Sequence, residues 1–84
     1  MIKIEYLGLG VNTHLGYYVI VHRYYVYINR NHIACIEKSS KVVEDNIITY
    51  NLYLSNGLKY SIEESVALML IGDENANTRA TNSK

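Results

Sequence analysis

Apolar and polar residues alternate with a period of two along much of the chain, which is the pattern of β-strands with one buried face. Residues 2–7 alternate isoleucine and tyrosine with lysine and glutamate, and they predict a short first strand. Residues 8–16 then contain three glycines around a polar centre, which predicts a loop. This loop has neither the glycine spacing of a dinucleotide site nor the lysine of a P-loop.

Residues 17–28 have the sequence Tyr-Tyr-Val-Ile-Val-His-Arg-Tyr-Tyr-Val-Tyr-Ile. β-branched and aromatic side chains dominate this run, which predicts a strand. The pair His22–Arg23 breaks the alternation, so apolar groups face both sides. Either one long strand bends at this pair, or a tight turn there forms a hairpin. In both arrangements the second apolar face needs a cover, and we expect a partner chain to provide it.

The rest of the β region is predicted as shorter strands, at residues 32–38, 41–44, 47–54 and 58–62. Polar turns separate the first three of these strands from their neighbours, at residues 29–31, 39–40 and 45–46. Asn56–Gly57 lies between two alternating runs and predicts a hairpin with a type I′ turn, because that turn needs positive φ at both central residues.

A short helix is predicted after the last strand, because apolar residues recur at helical spacing between residues 62 and 70. Ser61 and Ser65 are both candidates for its N-cap. Residues 73–84 are polar, small or charged without periodicity, which predicts a disordered tail. The expected organisation is therefore a single β-rich domain at residues 1–72. Its fold class is mainly β, as a small curled antiparallel sheet or barrel with one short C-terminal helix.

The length of the chain limits its core. Eighty-four residues form one domain, and a chain this short buries only about 60% of its unfolded surface. Cys35 is the only cysteine and the three histidines stand apart, so neither an internal disulfide nor a metal site is expected to supplement that core. Self-association is the supplement that remains.

The charges of the chain argue against two classes of partner. Eight basic and eight acidic residues give a formal net charge of zero, so no overall field attracts nucleic acid or an anionic membrane. No secretory signal is recognisable, and no apolar run approaches the roughly 20 residues that span a bilayer. We therefore expect a cytoplasmic protein that does not use a membrane.

The residues that invite catalysis have simpler structural explanations. His14, His22 and His32 lack partners at catalytic or ligand spacing. Cys35 lies in an apolar strand and is expected to be a small buried core residue. The sequence thus predicts no catalytic residue, no metal site and no cofactor, and the chain is not expected to be an enzyme.

All nine aromatic residues are tyrosines, whose large ring and polar tip suit half-buried sheet faces and contact surfaces alike. The predicted self-association or partner-binding surface lies on the long strand and comprises Tyr18, Ile20, Tyr24, Tyr25, Val26 and Tyr27. Candidate contacts to nucleic acid or to a ligand lie beside it, at His22, Arg23 and Arg30.

Residues 24–70 also resemble a known family in the order of their elements. A strand runs into Asn-His-Ile-Ala-Cys-Ile-Glu-Lys at residues 31–38, and a later strand ends in Ser-Asn-Gly at residues 55–57. Lys-Tyr-Ser-Ile-Glu-Glu-Ser-Val at residues 59–66 then opens a helix. This order is similar to that of the FlbD-like small proteins found with flagellar and swarming genes, and more loosely to LytTR-type DNA-binding domains. The resemblance implies a small non-enzymatic binding domain and carries no catalytic residues.

The expected function is a non-catalytic, homo-oligomeric binding module that acts through protein–protein interaction. It would serve as a small regulatory or inhibitory protein, of the kind that phages or mobile elements encode, with a protein partner that the sequence does not identify. Two alternatives stay open. One is a nucleic-acid-binding regulator that stacks bases on tyrosine. The other is a binder of a small nucleotide-like ligand at a subunit interface, with residues 8–16 as its glycine loop.

Overall fold

A computed structural model describes residues 1–72 of the chain, so the tail prediction for residues 73–84 lies outside the described residues. Within residues 1–72 the structure confirms the mainly β class with one short helix. The elements are β1 (Ile2–Asn12), β2 (Tyr17–Ile28), β3 (Ile33–Lys38), β4 (Thr49–Leu54), β5 (Lys59–Glu63) and helix α1 (64–72). Short 3-10 turns occupy Arg30–His32 and Glu44–Asn46.

The strands form two antiparallel sheets. β1 pairs with β2 in a long two-stranded ribbon, and β3, β4 and β5 lie side by side in that order in the second sheet. The sheets are not closed into a barrel, so the barrel alternative is wrong. The physical reason is that β1 lies beside β5 without joining the second sheet through a β-ladder.

The first strand is longer than predicted, because β1 continues through Gly8 and Gly10 to Asn12. The predicted loop at residues 8–16 is therefore wrong, and the turn is confined to residues 13–16. Both glycines make room for side chains of β2. A Cβ atom at Gly8 would lie 2.9 Å from Tyr24 Cε2, and one at Gly10 would lie 2.8 Å from Val21 Cγ2. These glycines serve close packing inside a strand.

The long strand β2 is a single strand with a β-bulge. Gly8 pairs with His22 while the next residue, Leu9, pairs with Ile20, so Val21 is an extra residue in β2. The bulge resets which side chains face the core and explains the broken alternation beside His22–Arg23. The long-strand alternative is thus confirmed, and a tight turn at this pair is wrong.

One hydrophobic cluster joins the ribbon, the second sheet and α1. Its members are 7% exposed or less and comprise Ile4, Ile28, Leu52, Leu54, Ile62, Ala67 and Leu70. Ile2, Tyr6 and Val26 of the ribbon pack against this cluster. The ribbon therefore presents one face of its first half to the core. On the opposite face Lys3 and Glu5 lie across from Tyr27 and Tyr25, and Leu7 is buried at 5% exposed.

Positive φ at two consecutive residues was predicted at Asn56–Gly57 but occurs at Asp45–Asn46. At Asn56–Gly57 only Gly57 has positive φ, at 92°, so the type I′ prediction is wrong. The hydrogen bonds between Leu54 and Leu58 (2.9 Å) and between Gly57 and Leu54 (3.0 Å) close a three-residue loop with glycine at its left-handed position. Asp45 and Asn46 both have positive φ, at 58° and 57°, which aspartate and asparagine tolerate.

The helix begins between its two candidate caps. Residue 64 is the first helical residue, so Ser61 lies in β5 and Ser65 lies inside α1, and neither occupies the N-cap position. The predicted strand at residues 41–44 is reduced to a single parallel bridge between Val43 and Tyr18.

Candidate self-association surface on strand β2

Antiparallel pairing sorts the side chains of β2 onto two faces. Tyr24, Val26 and Ile28 lie across from Tyr6, Ile4 and Ile2 on the face that meets the core. The residues that alternate with these lie on the opposite face of the ribbon. After the bulge they are Arg23, Tyr25 and Tyr27, and we call these three residues the outer patch.

The outer patch contains the two most exposed tyrosines of β2. Tyr25 is 61% exposed and Tyr27 is 64% exposed. Of the other predicted contact residues, Val26 packs against the core, and Tyr18 and Ile20 are half-buried. The structure thus leaves Tyr25 and Tyr27 together on an open surface. Tyr18 and Ile20 lie farther along the same face of the ribbon, opposite Val11 and Leu9, whereas Tyr24 and Val26 lie on the core face.

The Tyr25 side chain is held in place by its neighbours on β1. The Lys3 Nζ atom lies 4.7 Å from the centroid of its ring, within the range of a cation–π contact. Its hydroxyl donates a hydrogen bond to Glu5 Oε2 at 3.3 Å. These contacts restrict the rotamers of Tyr25, so less conformational entropy is lost when a partner covers it.

Tyr24 takes part in an aromatic cluster on the core side. Its ring stacks on Tyr6 with centroids 5.1 Å apart, and the His22 ring lies 4.5 Å away. Tyr6 in turn contacts Tyr60 of β5 at 4.6 Å. The exposed His22 is therefore the outer end of a ring cluster that links the ribbon to the second sheet.

Arg23 is neutralised by two carboxylates. Its Nη1 atom donates to Glu5 Oε1 at 3.0 Å and also to Glu63 Oε1. The hydrogen bond to Glu63, followed by weaker contributions from Glu5, raises the pKa of Arg23 above the usual arginine value. Arg30 instead donates to the Leu70 carbonyl oxygen of α1 at 3.5 Å. The two predicted phosphate-binding arginines thus contact different elements and do not form one basic site.

Replacing Arg23 by alanine is expected to lower Tm by about 4–8 °C, which corresponds to about 1 kcal/mol for a domain of this size. The reason is that Arg23 ties β1 and β2 to β5 through Glu5 and Glu63. Thermal unfolding followed by circular dichroism measures the change. The loss should shrink in 1 M salt, and Lys38→Ala, at an exposed lysine of β3, is the control. An unchanged Tm in low salt would show that these ion pairs do not stabilise the contact between the sheets.

One edge of β2 is covered before the bulge. The Tyr18 N–H donates to the Val42 carbonyl oxygen at 2.8 Å, and the Ile20 N–H donates to Glu44 Oε2 at 2.8 Å. We call residues 42–44 the strap. Val43 at its centre is only 3% exposed. The strap therefore satisfies the two backbone donors that point away from β1 before the bulge.

The rest of this edge has no strand beside it in the described part of the chain, because residues 21–28 pair with β1 alone. In an antiparallel strand the backbone groups of alternate residues point to the same side. The N–H groups of Tyr18 and Ile20 point away from β1, and the extra residue Val21 shifts this alternation by one. After the bulge, the backbone N–H groups that point away from β1 are therefore those of Arg23, Tyr25 and Tyr27. We call residues 21–28 the open edge. The residues whose backbone N–H groups point outward from the open edge are therefore the same three residues whose side chains form the outer patch.

Two features of this surface escaped prediction from the sequence. Val21 was not singled out, because the sequence placed the irregularity at His22–Arg23 and only pairing with β1 identifies the extra residue. Glu44 was assigned to a brief strand or its turn, since its partner Ile20 lies 24 residues away. The irregular alternation of residues 17–28 is a sequence signal for the bulge. No local signal identifies the strap.

Cys35 is exposed, so the prediction that it fills the core is wrong. It lies on β3, an outer strand of the second sheet, opposite Tyr53. The Tyr53 hydroxyl donates to Glu37 Oε1 at 3.2 Å. Partial desolvation, followed by this hydrogen bond, raises the pKa of Tyr53 above the usual tyrosine value.

The predicted glycine loop does not form a cradle for a ligand, because Gly8 and Gly10 lie in β1 and their free space faces Tyr24 and Val21. Within residues 1–72, no group of three or more His, Cys, Asp or Glu side chains is placed to hold a metal ion. None of the helices in that range has the length and apolar character needed to cross a membrane.

The resemblance to FlbD-like proteins stays a prediction. Comparison of the chain with family models, curated proteins and solved structures gives no match.

Proposed function

We propose that this protein is a non-catalytic binding module that self-associates through β2 and acts by protein–protein interaction, as a small regulatory or inhibitory protein. One observation carries the proposal: exposed Tyr25 and Tyr27 lie on the same stretch of β2 whose backbone edge has no strand beside it in residues 1–72. Exposed aromatic side chains beside an unpaired edge supply both the affinity and the template for strand addition.

The outer edge of β2 is covered before the bulge and uncovered after it, and this difference supports the proposal. Proteins protect exposed edges with bulges, charged side chains or covering loops. Here the strap covers Tyr18 and Ile20, and the bulge at Val21 ends that protected part. The open edge beyond it has no such cover among the described residues and carries two exposed tyrosines. Such an edge would promote aggregation in a monomer, and a specific partner would remove that liability.

The size of the protein supports the same proposal. The cluster that joins both sheets contains seven buried residues, which is a small core for a free-standing domain. Contact with a second copy through β2 would bury apolar surface of Tyr25 and Tyr27 that this core does not cover.

Nucleic-acid binding gains less support from the geometry. The charge of Arg23 is met by Glu5 and Glu63, and the net charge of the whole chain is zero. Neutralised phosphates supply much of the affinity in complexes with nucleic acids. A surface whose main cation already has two carboxylate partners is therefore better suited to a protein.

Light scattering during size-exclusion chromatography tests the proposal. The wild-type protein is expected to contain more than one chain per particle at micromolar concentration. The double variant Tyr25→Lys, Tyr27→Lys is expected to be monomeric, with a dissociation constant raised at least about tenfold, because lysines on an edge strand oppose pairing. Leu68→Lys, at a residue of α1 that is 52% exposed, is the control for added charge and should keep the wild-type mass. A monomeric wild-type protein would contradict the proposal.

A further inference from the structure

We propose that two copies of this chain pair through their open edges, antiparallel, about a two-fold axis at Tyr25. This inference rests on the proposed self-association and specifies its partner, a second copy, and its register. In this register Tyr25 lies opposite Tyr25 of the second copy, and Arg23 lies opposite Tyr27. The two ribbons then form a continuous four-stranded sheet with both copies of β2 at its centre.

The length of the open edge selects this register. The strap already holds the backbone N–H groups of Tyr18 and Ile20, and β2 ends at Ile28. Only residues 21–28 are therefore available for a new ladder. A two-fold axis at Tyr25 uses all of this window except the extra residue Val21, because it pairs residues 22–28 of one copy with residues 28–22 of the other. An axis at Arg23 would instead require Tyr18 and Ile20, whose donors are occupied.

Side-chain chemistry favours the same register. Arg23, Tyr25 and Tyr27 are the outward-pointing residues of the open edge, and their side chains share the exposed face. An axis at Arg23 places two guanidinium groups directly opposite each other, which destabilises a sheet. An axis at Tyr25 places two aromatic rings opposite each other at the centre. It also places each Arg23, whose guanidinium is held by Glu5 and Glu63 of its own chain, opposite Tyr27 and away from the second Arg23.

The two neighbouring registers each lose part of the ladder. Shifting the axis to Tyr24 pairs Tyr27 with Val21, the extra residue of the bulge, where the ladder is irregular. Shifting it to Val26 pairs Arg23 with Asn29, which lies beyond the end of β2. The register at Tyr25 avoids both the bulge and the strand end.

The arrangement also predicts an assembly that stops at two copies. A two-fold contact uses the same surface on both chains, so it consumes each open edge once. The opposite edge of the ribbon belongs to β1, which lies beside β5. After two copies have paired, neither has an unused open edge to which a third copy could add.

Cysteine cross-linking tests the register. In a Cys35→Ser background, Tyr25→Cys places two thiols on directly opposed residues, whose Cα atoms lie about 5.5 Å apart in a hydrogen-bonded antiparallel pair. This separation suits a disulfide. Mild oxidation should convert most of the Tyr25→Cys protein to a covalent dimer. Tyr27→Cys in the same background is the matched control. Its two thiols would stand four residues apart along the strands, roughly 13 Å, and should not cross-link.

A second pair of variants tests the same contact without a thiol. Tyr25→Lys alone and Tyr25→Glu alone should each be monomeric, because like charges would meet at the axis. A mixture of the two should give a dimer with one copy of each, which native mass spectrometry resolves.

The outcomes separate this inference from the function it rests on. If the wild-type protein is dimeric but Tyr25→Cys does not cross-link and the lysine–glutamate mixture does not pair, the register is wrong and self-association stands. Preferential cross-linking of Tyr24→Cys or Val26→Cys would equally overturn the register. If the wild-type protein is monomeric, both the register and the proposed function are wrong.

Discussion

Replacement of Gly8 by valine is expected to lower the free energy of unfolding by about 2–3 kcal/mol, the usual cost of forcing extra atoms into a packed site. An added Cβ would lie 2.9 Å from Tyr24 Cε2 and 3.5 Å from the backbone oxygen of His22. Moving the Tyr24 ring, which is 44% exposed, would disrupt its stack on Tyr6 and its contact with His22. Urea denaturation followed by circular dichroism gives the change from the shift in the midpoint.

Whether the free energy of unfolding falls or rises in Gly8→Val distinguishes a glycine that is needed for packing from one that is not. In an ordinary strand, glycine is unfavourable and a β-branched residue would raise stability. A loss of stability therefore requires the close contact with Tyr24. In a Tyr24→Ala background the Gly8→Val change should cost little, since the ring that it strikes is gone. Gly72→Ala is the control, because a Cβ there meets no atom within 4 Å. An equal or greater stability of Gly8→Val would contradict the packing role of this glycine.

Replacement of Glu44 by alanine is expected to cost about 2 kcal/mol of stability, the range of a hydrogen bond to a charged group. The Glu44 carboxylate accepts from the Ile20 N–H at 2.8 Å in a partly buried position. Losing it leaves that donor unpaired and loosens the strap. The open edge then lengthens towards Tyr18, so light scattering should show particles larger than those of the wild-type protein.

Two further variants give this prediction its controls. Glu44→Gln keeps an oxygen acceptor without the charge and should fall between the wild-type protein and Glu44→Ala. Glu37→Ala removes a carboxylate that accepts from the Tyr53 hydroxyl on an exposed surface and should change stability little. If Glu44→Ala has wild-type stability and particle size, the strap does not protect the edge.

Local sequence patterns were sufficient for the elements that depend on local physics. β2 was predicted with its observed bounds, because its β-branched and aromatic run has a clear strand composition. β4, β5 and α1 were placed within one or two residues of their predicted starts, with the Asn56–Gly57 turn between the two strands. The mainly β class with one helix follows from these elements.

The features that the sequence did not reveal all depend on distant residues. Gly8 and Gly10 have the composition of a loop, and only the side chains of Tyr24 and Val21 across the ribbon explain their place in a strand. Cys35 has the composition of a core residue, and its exposure follows from the irregularity between Ile33 and Cys35, which places Cys35 opposite Tyr53 on the face away from buried Leu52 and Leu54. The candidate surface was predicted as a stretch of β2. Which of its tyrosines face outward depends on the extra residue Val21, because each residue inserted into a strand exchanges its two faces.

The strap has a consequence for the order of events during synthesis. The two strands of the ribbon are complete once residue 28 has emerged, and a hairpin forms within about 1–10 μs. Glu44, which protects Ile20, emerges 16 residues later, about one to three seconds afterwards at roughly 5–20 residues per second. During that interval the whole outer edge of β2 is unprotected on a ribosome-bound chain. Neighbouring nascent chains on one messenger RNA would meet with this edge exposed, so co-translational pairing and co-translational aggregation compete for the same strand.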